Sequence, residues 1–204
     1  MAAASIKGSI FAKLVDDLKK LVERDEAARM ALTERLSADE VALLDSLISA
    51  ASWYSIESYS RMTQILLDFE GHGDIEYLYL RGAESAELMI ESGLYAQFDY
   101  LNRTEASRET NPAARFAAFG RDLRILATLS GSILNFSKWS HLPDPDHELR
   151  WMLELTDASA YPDLLAHATT GLINRMSMQT RGKELWRWER VSNDIIRFRM
   201  TRDL

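Results

Sequence analysis

Residues 184–201 read ELWRWERVSNDIIRFRMT. Trp186 and Trp188 alternate with Arg187 and Glu189, and after Ser192-Asn193-Asp194 the alternation resumes with Ile196, Phe198 and Met200. A period of two is what a strand with one buried face requires, because successive side chains point to opposite sides of a sheet. The segment predicts a β-hairpin with strands over 184–191 and 195–201. Upstream, Leu134 and Phe136 alternate with Asn135 and Ser137. Pro143-Asp144-Pro145-Asp146 then makes a turn, and Leu149, Trp151, Leu153 and Leu155 alternate with Arg150, Met152 and Glu154. That is a second hairpin. Between the two, residues 161–178 carry Leu164, Leu165, Ala168, Leu172, Ile173 and Met176 at helical spacing, so the C-terminal third reads β-β-α-β-β.

The remainder is helical. Ile10, Phe11, Leu14, Val15, Leu18, Leu21 and Val22 predict an amphipathic helix over 8–23, and a more polar helix follows over 25–36. Ser37 with Glu40 forms a capping box that opens a helix through Val41, Leu44, Leu47 and Ile48. Beyond Trp53-Tyr54-Ser55, a helix carrying Ile56, Tyr59, Met62, Ile65, Leu66 and Phe69 stops at Gly71-His72-Gly73. Residues 74–101 predict two helices broken near Ser92-Gly93, followed by a polar loop to Asn111. Pro112 then starts a helix that runs to Gly131. The predicted fold is α+β, with N-terminal helices followed by a four-stranded antiparallel sheet. One domain is expected over 1–204, helical over about 8–130 and sheet-forming over about 131–204.

Composition narrows the function classes. The chain has no cysteine, which removes disulfides, thiolate metal sites, a Cys nucleophile and iron–sulfur clusters together. A net charge of −7 argues against a nucleic-acid partner. Residues 171–204 carry +4 against −11 elsewhere, and this local excess reads either as an anion-binding face or as the solvated side of a sheet. The first eleven residues hold no apolar run of signal-peptide length, and no segment approaches the ~20 apolar residues needed to span a bilayer. A cytoplasmic protein without a membrane partner is expected.

The residues offer little for chemistry. There is no Gly-x-Ser-x-Gly elbow and no dinucleotide fingerprint. His72, His141, His147 and His167 form no metal-ligand spacing, and pairs such as Asp16-Asp17 and Asp144/Asp146 fall on polar faces or in turns. No catalytic residue, metal or cofactor is expected. The aromatic residues remain. Trp53, Tyr54, Tyr59 and Trp151 are candidates to line an apolar ligand pocket between sheet and helices, the alternative being ordinary core packing. Trp53, at a helix junction, is expected to be a buried anchor. Three strand tryptophans, Trp151, Trp186 and Trp188, look too large for so few elements to cover, so a homodimer is expected to cover them.

Ile6-Lys7-Gly8 leading into Phe11, the Trp53-Tyr54 pair and the Gly71-to-Gly82 region ahead of Ala86 resemble a myxobacterial paralogous family of proteins of similar length. Ser55 stands where that family commonly has proline. The tail, with Asp157-Ala158-Ser159 before Tyr161-Pro162, is similar in layout to 4-vinyl reductase and haem nitric-oxide-binding domains. The first resemblance implies a regulatory or ligand-binding protein without an assigned reaction. The second implies a haem-binding gas sensor, with His167 as the available axial ligand. The Tyr-x-Ser-x-Arg string that holds haem propionates in those domains is absent, and Tyr59-Ser60-Arg61 has the residue types at the wrong spacing. The residues thus point to a non-enzymatic sensory domain for a small, apolar ligand. The alternatives are a protein-interaction or dimerisation module and, more remotely, a haem sensor.

Overall fold

The computed structural model describes residues 3–91, 111–181 and 184–203. Helices α1 (Gly8–Arg24), α2 (Glu26–Arg35) and α3 (Ala38–Ala42) lead to α4 (Ile56–Phe69), α5 (Glu76–Glu91) and α6 (Pro112–Ile133). The C-terminal third is β3 (Lys138–Pro143), β4 (Trp151–Thr156), α7 (Asp163–Arg181), β5 (Trp186–Ser192) and β6 (Ile195–Met200), forming one antiparallel sheet in the order β3-β4-β6-β5. The α+β architecture predicted from the two periods is the one observed. The predicted helix beyond Ser92-Gly93 and the loop after it lie outside the described residues.

Three local expectations change. The capping box forms as predicted, but α3 ends at Ala42 in a 3-10 turn over Leu43–Asp45, leaving Leu47 96% exposed. A cap starts a helix, whereas its length depends on packing that Leu47 lacks. The strand expected to include Leu134 and Phe136 starts only at Lys138, because α6 runs past Gly131 to Ile133. A two-stranded ribbon, β1 (Ser5–Lys7) with β2 (Trp53–Ser55), was not visible in the sequence, since three residues are too short to display a period.

That ribbon gathers the residues of the family-like motif. Lys7 pairs with Trp53 across it, and the Lys7 ammonium lies 4.1 Å from the Trp53 ring centroid while donating to the Ala51 carbonyl at 2.8 Å. Tyr54 stacks on Phe11 at 4.7 Å, and a Cβ on Gly8 would lie 2.0 Å from the Ser49 carbonyl oxygen. Ser55 caps α4, accepting from the amides of Glu57 and Ser58.

One core joins the helical half to the sheet. The buried stripe of α1 (Phe11, Leu14, Leu18) and of α4 (Met62, Ile65, Leu66) is continuous with Phe119, Leu123 and Leu126 of α6 and with Leu153, Leu155, Ile196 and Phe198 of the sheet. Trp186 is buried against Phe119 with ring centroids 6.2 Å apart, Trp151 stacks on Phe116 at 4.5 Å, and Trp188 meets His167 edge-on at 5.0 Å. The strand tryptophans are therefore covered by α6 and α7 of the same chain, which removes the stated ground for a homodimer. Much of the basic excess among the described residues lies on the solvated sheet face. Arg197 pairs with Glu154 and Arg199 with Asp144 across the outer side, while Arg190 meets Asp163 at the margin.

Helices α5 and α7 touch at backbone distance. A Cβ on Gly82 would sit 1.7 Å from the Ala168 carbonyl oxygen, and one on Gly171 would sit 1.9 Å from that of Tyr79. Alanine is the better helix former by about 1 kcal/mol, yet no Cβ fits either place without parting the helices. Gly82→Ala and Gly171→Ala are each expected to lower stability by about 1–3 kcal/mol or more in urea titrations, against the direction of helix propensity. A gain in stability would show that the two helices do not meet this closely.

Glu40 illustrates how the helical half is held in register. Its carboxylate accepts from the Ser37 amide at 2.9 Å and from Arg61 of α4 at 2.6 Å. Burial alone would raise its pKa, but the hydrogen bonds from Arg61, Ser58 and Ser37 outweigh it and bring the group from 4.5 down to about 2. A carboxylate depressed by folding contributes stability that is fully present above its unfolded pKa and is lost as pH falls through its folded one. Acid titration of stability is therefore expected to steepen between pH 4.5 and about 2. Glu40→Gln should be less stable at neutral pH and should flatten the curve in that window; an unchanged slope would remove the assignment.

Candidate functional site

An apolar cavity of about 80 Å³ lies where the helical half meets the sheet half. Its walls come from β1 and α1 (Ile6, Ile10), α5 (Met89), α6 and the residue after it (Leu126, Leu129, Ser130, Ile133, Leu134), β3 (Trp139), and the start of α7 with the residue before it (Tyr161, Leu165, Thr169, Leu172). Each wall follows from local structure. Ile6 is inward on a three-residue strand whose neighbours face out, and Leu126, Leu129 and Ile133 recur at helical spacing on α6. Trp139 stands on the inner face of β3 opposite Leu155, with its ring 6.0 Å from Phe198 and 6.4 Å from Tyr161.

The lining is nearly devoid of polar groups. Ser130 Oγ donates to the Leu126 carbonyl at 3.0 Å, and the Trp139 indole N–H donates to Ser137 at 3.2 Å, so both are spent within the wall. Tyr161 and Thr169 share one hydroxyl–hydroxyl hydrogen bond of 2.7 Å. Burial pushes the Tyr161 phenol above its ordinary pKa, so it stays protonated. Among the described residues no charged side chain lines the space. A water molecule needs at least 10–15 Å³ of such volume together with 2–4 polar partners, and the walls of this cavity favour an apolar occupant.

None of the four residues chosen from the sequence lines this cavity. Trp53 is 43% exposed and serves the β1–β2 ribbon, so it is not a buried anchor; the strand turns its ring outward over Lys7. Tyr54 is occupied in its stack on Phe11 and in accepting the Ser49 amide through its hydroxyl at 3.0 Å. Trp151 packs onto the flat surface left by Gly120 of α6 and donates to the Phe116 carbonyl at 3.1 Å. Tyr59 is half-buried beside the core, its phenol pushed up in pKa by burial. Sequence reasoning favoured aromatics clustered at junctions. The lining is instead mostly aliphatic and comes from five separate stretches of chain, so no local signal distinguished it from core. Nothing in the sequence neighbours of Tyr161 and Trp139 marks these two as lining residues.

The histidines stand apart from the cavity as well. His167 turns toward the sheet, its Nδ1 accepting from the Trp188 indole N–H at 3.4 Å, and burial lowers its pKa. His141 lies against Trp151, while His72 and His147 sit in turns. Among the described residues no three His, Asp or Glu side chains converge as a metal site. Among them, too, no helix is long and apolar enough to cross a membrane.

The helices and the β-β-α-β-β sheet together are arranged as in the fold of H-NOX proteins. In particular, the chain superposes on the Fe(II) unliganded H-NOX protein from K. algicida with a TM-score of 0.57 at 11% identity, covering 98% of each chain. A mutant H-NOX from T. tengcongensis matches with a TM-score of 0.54 at 11% identity, over 98% of this chain and 100% of that one. A third structure, from work on heme distortion in the H-NOX family, gives 0.52 at 12% identity, over 98% of this chain and 97% of that one. At such identity the likeness is one of fold, and it agrees with the layout read from the C-terminal elements. No protein-family model matches the chain, and no curated protein does. The lining does not fit a haem. No imidazole reaches it, the chain has no thiol, and 80 Å³ is well below the 300–1,000 Å³ typical of pockets for drug-sized ligands.

Trp53→Ala is expected to cost about 1 kcal/mol or less in thermal or urea unfolding, the worth of an exposed cation–π contact. A loss of about 3–5 kcal/mol would instead match a fully buried ring.

Proposed function

We propose that this chain is a non-catalytic sensory domain that takes a small, apolar molecule into the cavity between α1, α6, α7 and β3. The observation that carries this reading is the cavity's placement. It opens at the seam between the helical half and the sheet, it is walled by both, and its lining is aliphatic and aromatic. A molecule held there contacts elements from both halves, so its occupancy biases how closely they approach, which is the physical requirement for a ligand to shift a conformational equilibrium. The described neighbours share the fold. That similarity of fold over nearly the whole chain supports a sensory reading. The resemblance of Ile6-Lys7-Gly8 and Trp53-Tyr54 to a myxobacterial family of regulatory type points the same way.

An enzymatic role draws no support from the lining. Among the described residues Tyr161 is the one ionisable group in it, held protonated, and neither Ser130 nor Thr169 has a base beside it. The His167 route to a haem sensor is disfavoured by the imidazole's engagement with Trp188.

Xenon tests the cavity directly, since it enters dry apolar spaces without needing a polar partner. Under xenon pressure the methyl resonances of Ile10, Leu126, Leu165 and Leu172 are expected to shift together and saturably, and Leu165→Phe, which fills the space, should abolish the shift. Methyls that move no more than those of exposed Leu47 and Leu80 would show that no such cavity accepts a guest.

A further inference from the structure

We infer that the cavity selects, among small apolar molecules, those carrying one hydrogen-bond acceptor such as a ketone, aldehyde or ether oxygen, which the Tyr161–Thr169 hydroxyl pair receives. This rests on the cavity reading above and specifies its ligand class. Each hydroxyl has one proton to donate, and the two oxygens lie 2.7 Å apart, so the contact between them consumes one proton of two. If Tyr161 donates to Thr169, the threonine proton is left over. If Thr169 donates, the phenol proton is.

The usual outlet for a helical threonine is the carbonyl four residues back, and the neighbours on α7 use it. Thr170 donates to Ala166 and Ser177 to Ile173, both at 2.8 Å. Thr169 instead faces Tyr161, and among the described residues neither hydroxyl has a second protein partner. One O–H donor is therefore unspent at a wall where the other described polar side chains, Ser130 and Trp139, are satisfied, and both residues that can supply it border the cavity. A buried donor without an acceptor is costly, whereas an oxygen with one of its lone pairs idle is common. The need at this wall is for an acceptor, and an otherwise apolar guest bearing a single oxygen meets it. Tyr161 is only 2% exposed, which keeps water from competing freely at its end of the pair.

The probes are butanone and 2-methylbut-1-ene, which differ by a carbonyl oxygen in place of a terminal methylene. Affinities are read from the methyl shifts of Ile10, Leu126 and Leu165, and the informative quantity is the ketone-to-alkene affinity ratio, in which the differing cost of leaving water cancels between variants. Tyr161→Phe and Thr169→Val each leave one free hydroxyl and are expected to keep the ratio within about twofold of wild type. The double variant lacks both and should lower it about tenfold, the worth of one neutral hydrogen bond. In wild type, the carbonyl stretch of bound butanone should lie below its value in liquid alkane; this measurement stands even where the double variant does not fold. Alkene binding with an unchanged ratio in the double variant, or a bound carbonyl stretch equal to that in alkane, overturns the donor while leaving the cavity. Absence of any shift with either probe overturns both.

Discussion

Helices α5 and α7 lie against each other at backbone distance, Gly82 on the Ala168 carbonyl and Gly171 on that of Tyr79, and the placement of the two halves follows from that contact. A helix pair normally stands 8–10 Å apart, held off by side chains. Here one glycine on each helix receives the other's main chain, so the pair locks in position along its length as well as in distance. Arg175 on α7 meets Glu87 on α5 at 2.7 Å beyond the crossing, and Arg81 on α5 meets Asp17 on α1 at 2.8 Å, with both side chains of the latter pair largely buried. The helical half is thereby tied to the one helix that lies between the two hairpins of the sheet.

Fixing α7 in this way also fixes the sheet. Asn174, almost fully buried, accepts from the amides of Leu185 and Trp186 and donates to the Trp186 carbonyl, while the Trp186 indole donates to Ser177. These bonds satisfy the backbone at the start of β5 where no neighbouring strand does so. The close approach on one side of α7 and the polar clip on the other leave its remaining face, with Leu165, Thr169 and Leu172, turned toward α6 and β3. The gap there is bounded by elements whose positions are set elsewhere, and this explains why it is not closed by collapse of its own lining.

A seam of this kind couples the two halves to whatever occupies it. A guest small enough for the space touches β1, α1, α6 and α7 at once, so its binding energy depends on the relative position of layers far apart in sequence. The β1–β2 ribbon beside it shows the division of labour. Ile6 faces the cavity, while its neighbour Lys7 pairs outward with Trp53, so that one residue of the motif lines the space and the next holds the ribbon.

The two periods in the sequence determined the element types by themselves. Alternation at Trp186–Met200 and around Trp151–Leu155 can only be strands with one buried face, and the three-and-four spacing of α1, α4 and α7 can only be amphipathic helices, because each pattern follows from backbone geometry within a few residues. The absence of cysteine and the scatter of the histidines were equally legible. The ribbon was not, since three residues carry no period. Nor were the partners of Gly82 and Gly171, since small residues at 74–101 suggest close packing without showing which backbone lies against them. The cavity was decided by tertiary structure alone. Its aliphatic lining differs in no local respect from core residues, and its hydroxyl pair is polar only in what Tyr161 and Thr169 leave unspent when they meet. Whether a buried side chain packs solidly or borders a space depends on how closely the elements on either side approach, and that distance is set at the crossing of α5 and α7.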